Sequence, residues 1–188
     1  MESMVRGIAL ALTLIVLSGC GGGSDAGAGT VVPGRRISVP GGLSIRVPPH
    51  WHVAPRLTAL FAPKERLTIA SFSLRTAPVA RRGCAPTTAL AHMPRDGALA
   101  FLFEYTTPSP AGVEPRGIAF PARPRHFRLP TAAATQYECF GRGWLLRFRD
   151  GRRRFQLMIA GGRRAAGNLR TLVSALDTLR VDAAHKEG

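Results

Sequence analysis

The feature that most constrains the fold is an Asp150-Gly151 dipeptide between two segments of alternating apolar and polar residues. Asp-Gly favours a type I′ turn, because both central residues of that turn have positive φ, and such turns join antiparallel strands. A two-residue turn there places Arg149 opposite Arg152. It also places Arg147 opposite Arg154, so that all four arginines share one face. The other face then carries only large apolar side chains, namely Trp144, Leu146, Phe148, Phe155, Leu157 and Ile159.

Further segments predict additional strands and two helices. The strands expected from alternating or continuous apolar runs are 36–39, 43–47, 57–62, 67–74, 98–105, 118–120, 135–140, 144–149 and 179–181. One short helix is predicted over 87–93. The second follows from the i, i+3, i+4, i+7 spacing of Leu169, Leu172, Val173 and Leu176. The predicted fold class is α+β, an antiparallel sheet of about six to eight strands with this C-terminal amphipathic helix packed on it.

Several local features are expected inside this fold. Pro40-Gly41-Gly42 should join the first two strands, and Gly141-Arg142-Gly143 should turn between the strands on either side of it. The apolar parity changes between Ile69 and Phe72, which predicts either a β-bulge or burial on both faces. Gly161-Gly162 should end the sheet.

The N-terminal segment has the features of a bacterial lipoprotein signal. Residues 7–17 form an apolar run broken only by Thr13, well short of the roughly 20 residues that cross a bilayer. Leu17-Ser18-Gly19-Cys20 follows and resembles the lipobox of bacterial lipoproteins. The resemblance implies removal of residues 1–19, diacylglyceryl and palmitate-type acylation of Cys20, and a lipid-anchored position on the extracytoplasmic face of the cell membrane. An ordinary secretory signal with a coincidental cysteine is the alternative.

The organisation expected along the chain follows from this signal. Glu2 opposes Arg6 in the segment that should be positive, whereas a start at Met4 would leave Arg6 unopposed, so the true start is open between Met1 and Met4. Residues 20–34 are rich in glycine and predict a flexible tether with an end-to-end distance of roughly 20 Å. We expect residues 35–182 to form a single globular domain and residues 183–188 to fray.

Two cysteines remain once Cys20 carries lipid. In an oxidising compartment, Cys84 and Cys139 predict a disulfide that closes a loop of about 56 residues and stabilises the fold by ~4 kcal/mol in the chain-entropy model. Free buried thiols are the second interpretation. Catalysis by Cys84 is the third, although Arg81 and Arg82 beside it supply positive charge and no base.

Few residues have a pattern that indicates catalysis. The chain has no Gly-x-Ser-x-Gly, phosphate-loop or His-Glu-x-x-His motif. Glu104 is the only acid on a strongly predicted inner strand, and we expect it to pair with an arginine or face solvent. His50 and His52 would lie on one side of an extended segment, but a metal site needs a third ligand. No metal or other cofactor is predicted, and the two histidines are interpreted as a polar rim around a buried Trp51.

The charge of the chain indicates an anionic partner. The formal net charge is +15, with 26 basic and 11 acidic residues. Nucleic acid is the usual partner of such a chain, but the export signal separates it from cytoplasmic nucleic acid. Anionic lipid, wall polymers and acidic proteins remain. Arg147, Arg149, Arg152 and Arg154 are the candidate anion-binding residues. The alternative is a solvated face in which arginine replaces lysine through compositional bias.

A second resemblance concerns the folded domain. Leu43-Ser44-Ile45-Arg46-Val47-Pro48 before Trp51, successive hairpins, and Leu176-Asp177-Thr178-Leu179-Arg180-Val181 after a helix are similar to PsbP-like domains. The resemblance implies an α/β/α sandwich used mainly for binding. The sequence therefore predicts a membrane-anchored extracytoplasmic lipoprotein with a non-catalytic binding domain. The alternative is an envelope hydrolase or transferase with a dispersed active site.

Overall fold

The computed structural model describes residues 34–54, 56–58, 63–75, 86–105, 117–137 and 140–182. Within these ranges the chain forms nine strands and two helices. In chain order they are β1 (Arg35–Val39), β2 (Leu43–Val47), β3 (His52–Ala54), β4 (Lys64–Ala70), α1 (Thr87–Ala91), β5 (Ala98–Tyr105), β6 (Thr135–Tyr137), β7 (Gly141–Asp150), β8 (Arg153–Gly161), α2 (Ala166–Asp177) and β9 (Arg180–Val181).

The strands of these ranges form two antiparallel sheets. The larger sheet has six strands in the order β3-β4-β5-β8-β7-β6, and the smaller has three in the order β1-β2-β9. The α+β class and the C-terminal helix are confirmed. The expectation of one sheet is wrong, because β9 pairs with β2 through Leu43 and Val181 and so closes a separate sheet with the N-terminal hairpin.

The larger sheet is buried on both faces. One face packs against α2 and the smaller sheet around Leu102, Leu157 and Ile159. The other face packs against α1 and nearby loops around Phe101 and Met158. Burial of both faces explains why β5 is a continuous apolar run rather than an alternating one.

The predictions for the N-terminal hairpin and the central strand are confirmed. Val39 pairs with Leu43 across the three-residue connection. Strand β5 has the predicted bounds and lies inside the sheet between β4 and β8. The predicted short final strand is also present as β9, and the larger sheet ends at Gly161 as expected.

The expected strand over 57–62 is wrong in its described part. Strand β3 lies earlier, and residues 56–58 are not in a strand. The backbone N–H groups of Leu57 and Thr58 donate to Glu65 Oε2 at 2.9 and 2.7 Å. Because the Glu65 carboxylate accepts both N–H groups, these groups are not available for hydrogen bonds between strands.

Strand β4 explains the change in apolar parity. Leu67 to Ala70 are buried on both faces, and the strand ends before Phe72, so burial on both faces is the correct alternative in that stretch. A register shift does occur, but earlier, between Glu65 and Leu67. This bulge leaves Arg66 as the extra residue, and its side chain reaches Glu104 on the neighbouring strand.

The expected turn at Gly141-Arg142-Gly143 is wrong. These residues belong to β7, and β6 ends at Tyr137, where it pairs with Gly141. Gly141 has a φ of 77°. A Cβ on Gly143 would overlap the Phe140 ring and the Ile159 carbonyl oxygen. Glycine is therefore needed at position 141 because of its positive φ. It is needed at position 143 because neighbouring atoms leave no room for a side chain.

The β7–β8 turn lies one residue later than predicted. Asp150 pairs with Arg153, so the two loop residues are Gly151 and Arg152. Only Gly151, with a φ of 57°, is in the left-handed region, as in a type II′ turn. The pairing is thereby offset by two residues from the expected register, so the expected pairs between Arg149 and Arg152 and between Arg147 and Arg154 are not formed.

An offset of two residues keeps every side chain that remains in a strand on its predicted face. The apolar face is formed as expected, because Trp144 pairs with Ile159, Leu146 with Leu157 and Phe148 with Phe155. This pairing explains why the face could be predicted although the register could not.

Candidate functional site

The four predicted anion-binding residues cluster at the hairpin end of the larger sheet. We call Arg147, Arg149, Arg152 and Arg154 the arginine surface. Arg149 lies directly opposite Arg154, and Arg147 lies opposite Gln156 on the same sheet face. Arg152 lies at the turn and not on the strand face. The cluster is therefore formed by three strand arginines and one at the tip.

Two of these arginines are exposed and two are half-buried. Arg149 and Arg152 are exposed, whereas Arg147 and Arg154 are partly covered. Directly opposed residues on neighbouring strands have Cβ atoms about 4.5–5.5 Å apart, and like charges in that position destabilise the pair by up to ~1 kcal/mol. The pairing of Arg149 with Arg154 therefore concentrates positive charge at the hairpin end.

A segment beside β7 covers part of this surface. The Arg149 N–H donates to the Pro121 carbonyl at 2.7 Å, and the Arg123 N–H donates to the Arg149 carbonyl at 2.8 Å. The predicted strand over 118–120 is wrong, because extended pairing occurs only as an isolated bridge between Ala122 and Arg149. These hydrogen bonds hold the segment against the edge of β7.

Phe120 covers the half-buried part of the arginine surface. Its ring lies 5.4 Å from the Tyr105 ring in an edge-to-face arrangement. The Arg154 guanidinium lies 5.9 Å from the centroid of the Phe120 ring, within range of a cation–π interaction. Phe120 therefore contributes to the partial cover of Arg154.

Asp150, which follows Arg149 in the chain, is held by an arginine outside the arginine surface. Arg123 Nη1 lies 3.1 Å from Asp150 Oδ2. Arg123 Nη2 also donates to the Leu179 carbonyl, which fixes the guanidinium between the hairpin and the segment after α2. Asp150 is thus paired with Arg123 and not with Arg149 or Arg152.

Tyr105 and Gln156 form a polar hydrogen-bonded group with Arg147. Tyr105 Oη and Arg147 Nε both donate to Gln156 Oε1, each at 3.2 Å. Burial raises the pKa of Tyr105 above its usual range, and the positive charge of Arg147 acts in the opposite direction. Tyr105 is therefore a protonated hydrogen-bond donor at neutral pH.

Glu104 forms a second, buried cluster on the opposite sheet face. Arg66 Nε donates to its Oε2 at 2.7 Å, and Arg153 donates from Nε to Oε1 at 2.6 Å and from Nη2 to Oε2 at 2.7 Å. Arg153 also donates to the Gly41 carbonyl at 2.7 Å. The cluster thereby ties the larger sheet to the connection between β1 and β2.

The geometry of Glu104 matches the expected arginine pairing. Glu104 and Arg66 are both 6% exposed, and the guanidinium groups of Arg66 and Arg153 contact both carboxylate oxygens. Both oxygens of the buried carboxylate therefore have charged hydrogen-bond partners, as a buried ion pair requires. Glu104 is the acid around which a dispersed active site would have been expected, and its contacts here serve to fasten the fold.

The histidines near Trp51 are not arranged as expected. His50 has a φ of 65°, so the segment turns there, and His52 begins β3. The two imidazoles therefore do not extend from one strand face. Trp51 is partly buried against the main core, as expected for an anchor. Across the ranges that the structure describes, no group of three potential metal-ligating side chains comes together.

An apolar groove lies along the side of α2. It has a volume of about 570 Å³ and is lined by α2, residues 127–129 and Trp144 of β7. Trp144 Nε1 donates to the Ala132 carbonyl at 3.1 Å, which fixes the indole in the wall of the groove. Two exposed arginines, Arg128 and Arg170, are among its lining residues.

The remaining predicted site residues lie outside the described residues. These are the lipidation site Cys20 and the predicted disulfide partners Cys84 and Cys139. The tether over 20–34 lies outside them except for Gly34, as do residues 1–19 and 183–188. These assignments stay predictions from the sequence.

Several arginines of both clusters could not be anticipated from the sequence. Arg66 reaches Glu104 only because of the bulge in β4, which no residue pattern marks. Arg123 lies between Pro121 and Pro124, outside every strand and helix expected from the sequence. Arg170 had a detectable signal, because it lies three residues before Val173 and therefore beside the apolar stripe of α2.

Two antiparallel sheets, a C-terminal helix and a positively charged hairpin end define an α+β domain with a candidate anion-binding surface. Comparisons with protein-family models, characterised proteins and solved structures found no match to this chain. Among the described residues, no helix is both long enough and apolar enough to cross a membrane.

Proposed function

We propose that this protein is an extracytoplasmic lipoprotein, anchored through Cys20, whose domain binds an anionic surface without catalysing a reaction. The lipobox-like Leu17-Ser18-Gly19-Cys20 supports the anchor. The arginine surface supports the anionic partner. The hydrogen bonds from Arg66 and Arg153 to Glu104 favour binding over the hydrolase or transferase alternative.

The observation that carries the proposal is the positive charge exposed at the hairpin end, where the side chains of Arg149 and Arg152 are open to solvent. Arg149 also lies directly opposite a third arginine, Arg154. An anion that contacts the exposed guanidinium groups forms charge-assisted hydrogen bonds there. Anions that bridge adjacent guanidinium groups include phosphate head groups, because arginine binds phosphate in a bidentate geometry.

The tether makes the membrane itself the nearest anionic surface. A tether with a reach of roughly 20 Å keeps the domain within a few Debye lengths of the lipid head groups, since the Debye length is ~8 Å at physiological salt. Each basic residue close to an anionic membrane contributes ~1 kcal/mol. Four arginines are therefore enough to orient an anchored domain. A wall polymer or an acidic protein would be recognised by the same charges.

The PsbP-like architecture is also part of this proposal. In its support, α1 and α2 lie on opposite faces of the six-stranded sheet, which gives a helix–sheet–helix order. Helix α1 spans five residues, so the first helical layer is thin compared with that of a full sandwich.

The experiment is flotation of the unlipidated chain, residues 21–188, with vesicles of stated composition. We expect binding to vesicles containing phosphatidylglycerol, weak binding to phosphatidylcholine alone, and a loss of affinity as salt rises. Replacement of all four residues of the arginine surface by glutamine should abolish the preference for anionic vesicles. Wall polymers and polyglutamate, as a model of an acidic protein, are tested as competitors of vesicle binding.

A matched variant separates surface-specific binding from general charge. Replacing four exposed arginines elsewhere in the described chain, Arg35, Arg75, Arg95 and Arg163, by glutamine removes the same amount of charge. The proposal requires this control to keep most of its vesicle binding. Equal losses in the two quadruple variants, or equal binding to neutral and anionic vesicles, would overturn it.

A further inference from the structure

The groove beside α2 exists because the helix is narrower than the sheet beneath it. An α-helix with its side chains is about 10–12 Å across, and neighbouring strands are about 4.8 Å apart, so one helix covers two or three strands. Strand β7 is the fifth strand in the six-stranded order. The helix therefore leaves the apolar face of β7 partly uncovered at Trp144, which is half-buried against the core.

The floor and walls of the groove are mostly apolar. Leu169 and Val173 of α2 line it together with Leu129 and Trp144. The lining positions of α2 run from Ala166 to Ser174, eight residues apart, which is roughly 12 Å along the helix axis at 1.5 Å per residue. The volume of about 570 Å³ lies within the range of small-molecule sites, which is about 300–1,000 Å³.

The walls carry positive charge that has no acidic partner in the described part of the chain. Arg128, before the groove's Leu129, and Arg170 of α2 both line the groove, and both residues are exposed. Neither forms an ion pair with any described carboxylate. The groove lining contains no acidic residue. An apolar floor beneath two guanidinium groups is complementary to an elongated apolar molecule with an anionic end.

We infer that this groove binds a long-chain carboxylate, with one acyl chain along Leu169 and Val173 and its carboxylate between Arg128 and Arg170. A stripe of roughly 12 Å on a single helix face contacts about half the length of an extended eighteen-carbon chain, and the rest of the chain continues beyond it. The apolar stems of the two arginines add to the walls while their charged ends reach the mouth. This site is separate from the arginine surface and does not depend on the lipid anchor.

The test uses oleate below its critical micelle concentration and the unlipidated chain, residues 21–188. The chain has two tryptophans, so Trp51→Phe leaves Trp144 as the sole indole and as a reporter inside the groove. We expect saturable changes in Trp144 emission with oleate. Oleyl alcohol, which has the same chain without the charge, should bind about ten- to thirtyfold more weakly.

Two variants test the roles of charge and floor. Arg128→Gln with Arg170→Gln should weaken oleate binding about ten- to thirtyfold and leave oleyl alcohol binding unchanged. Val173→Asp, at a half-buried position, should abolish binding of both ligands. The matched control is Arg95→Gln with Arg163→Gln, which should bind oleate like the parent. Circular dichroism and the thermal midpoint verify that each variant is folded.

Other outcomes would overturn the inference. Equal affinity for oleate and oleyl alcohol would contradict recognition of the carboxylate. An unchanged Trp144 emission on titration with oleate would show that no chain enters the groove. If phosphatidylglycerol vesicles alter Trp144 emission but free oleate does not, the groove contacts bilayer lipid and the assignment to a free carboxylate is wrong. These results are independent of the arginine surface, because its quadruple variant retains Arg128 and Arg170.

Discussion

Arg153 holds Glu104 through two hydrogen bonds, from Nε to Oε1 at 2.6 Å and from Nη2 to Oε2 at 2.7 Å. The bidentate geometry lies in a buried site where Arg66 contacts the same carboxylate. The Arg153 guanidinium also lies 5.2 Å from the Phe155 ring centroid. One acid and two arginines therefore connect β4, β5 and β8 at the end of the sheet that faces the smaller sheet.

Replacing Glu104 with glutamine should strongly destabilise the fold. The substitution keeps the shape of the side chain but removes the buried negative charge that Arg66 and Arg153 both contact. Removal of one partner from a buried ion pair typically lowers the free energy of unfolding by about 3–5 kcal/mol. Urea denaturation measures the effect. Arg153→Lys, which keeps the charge and loses the bidentate geometry, should give a smaller loss. A Glu104→Gln protein as stable as the parent would show that the cluster has no role in folding.

Two glycine substitutions should have opposite effects on stability. Alanine at Gly143 would place a Cβ against the Phe140 ring and the Ile159 carbonyl, so Gly143→Ala should lower the free energy of unfolding by about 1–3 kcal/mol. Gly167 lies in α2 with open space where a methyl group would extend, so Gly167→Ala should raise stability by up to about 1 kcal/mol. Thermal denaturation of both variants tests this contrast, and a loss at Gly167 would contradict the description of α2.

Stability above pH 10 should fall because of Tyr105. Burial raises the pKa of Tyr105 in the folded state above the ordinary value of 10.0. Between these two pKa values the unfolded chain has lost the phenol proton and the folded chain has kept it. The folded state therefore binds more protons there, and the free energy of unfolding decreases as pH rises. Tyr105→Phe should reduce this decrease, as followed by urea denaturation at several alkaline pH values.

A direct titration can verify the assignment to Tyr105. The chain has two tyrosines, so a Tyr137→Phe protein reports the ionisation of Tyr105 alone through tyrosinate absorbance. An ionisation midpoint at or below the ordinary value would contradict the raised pKa.

The predicted disulfide between Cys84 and Cys139 is tested by peptide mapping. Digestion of the secreted protein without reduction should yield one linked fragment that contains both cysteines. Reduction should lower the free energy of unfolding by ~4 kcal/mol in the chain-entropy model, less any strain. Quantitative alkylation of both thiols in the unreduced, unfolded protein would refute the bridge.

Much of the larger sheet could be predicted because both strands of the β7–β8 hairpin show the same alternation of apolar and polar residues. Alternation from Trp144 to Phe148 and from Phe155 to Ile159 determined which face is apolar, and an offset of two residues left that face unchanged. The turn position itself failed, because Asp150-Gly151 indicates a turn region without deciding which position of the loop the glycine occupies. Periodicity therefore predicted faces better than register.

The parts that the sequence did not predict depend on long-range contacts. Nothing near β9 shows that it pairs with Leu43 rather than with the larger sheet, so the second sheet was missed. Glu65 removes Leu57 and Thr58 from a strand through its side chain, which periodicity does not detect. For the site, the arginine positions could be inferred, but their cover by Phe120 arises from tertiary packing.

The central claim is that lipid at Cys20 anchors the protein and that the arginine surface adds a salt-sensitive contact with the membrane. Both parts are tested in one fractionation of cells that express four forms of the protein. The leader, residues 1–20, is kept or replaced by a cleavable secretory signal without a lipobox, and the arginine surface is kept or replaced by glutamine.

Both lipobox-containing forms should stay with membranes after a high-salt wash. The secreted form with intact arginines should be retained at low salt and released by the wash, and the secreted form with four glutamines should be soluble at low salt. Membrane retention of the secreted forms through the wash would contradict the lipid anchor. Identical release of the two secreted forms at low salt would contradict the role of the arginine surface.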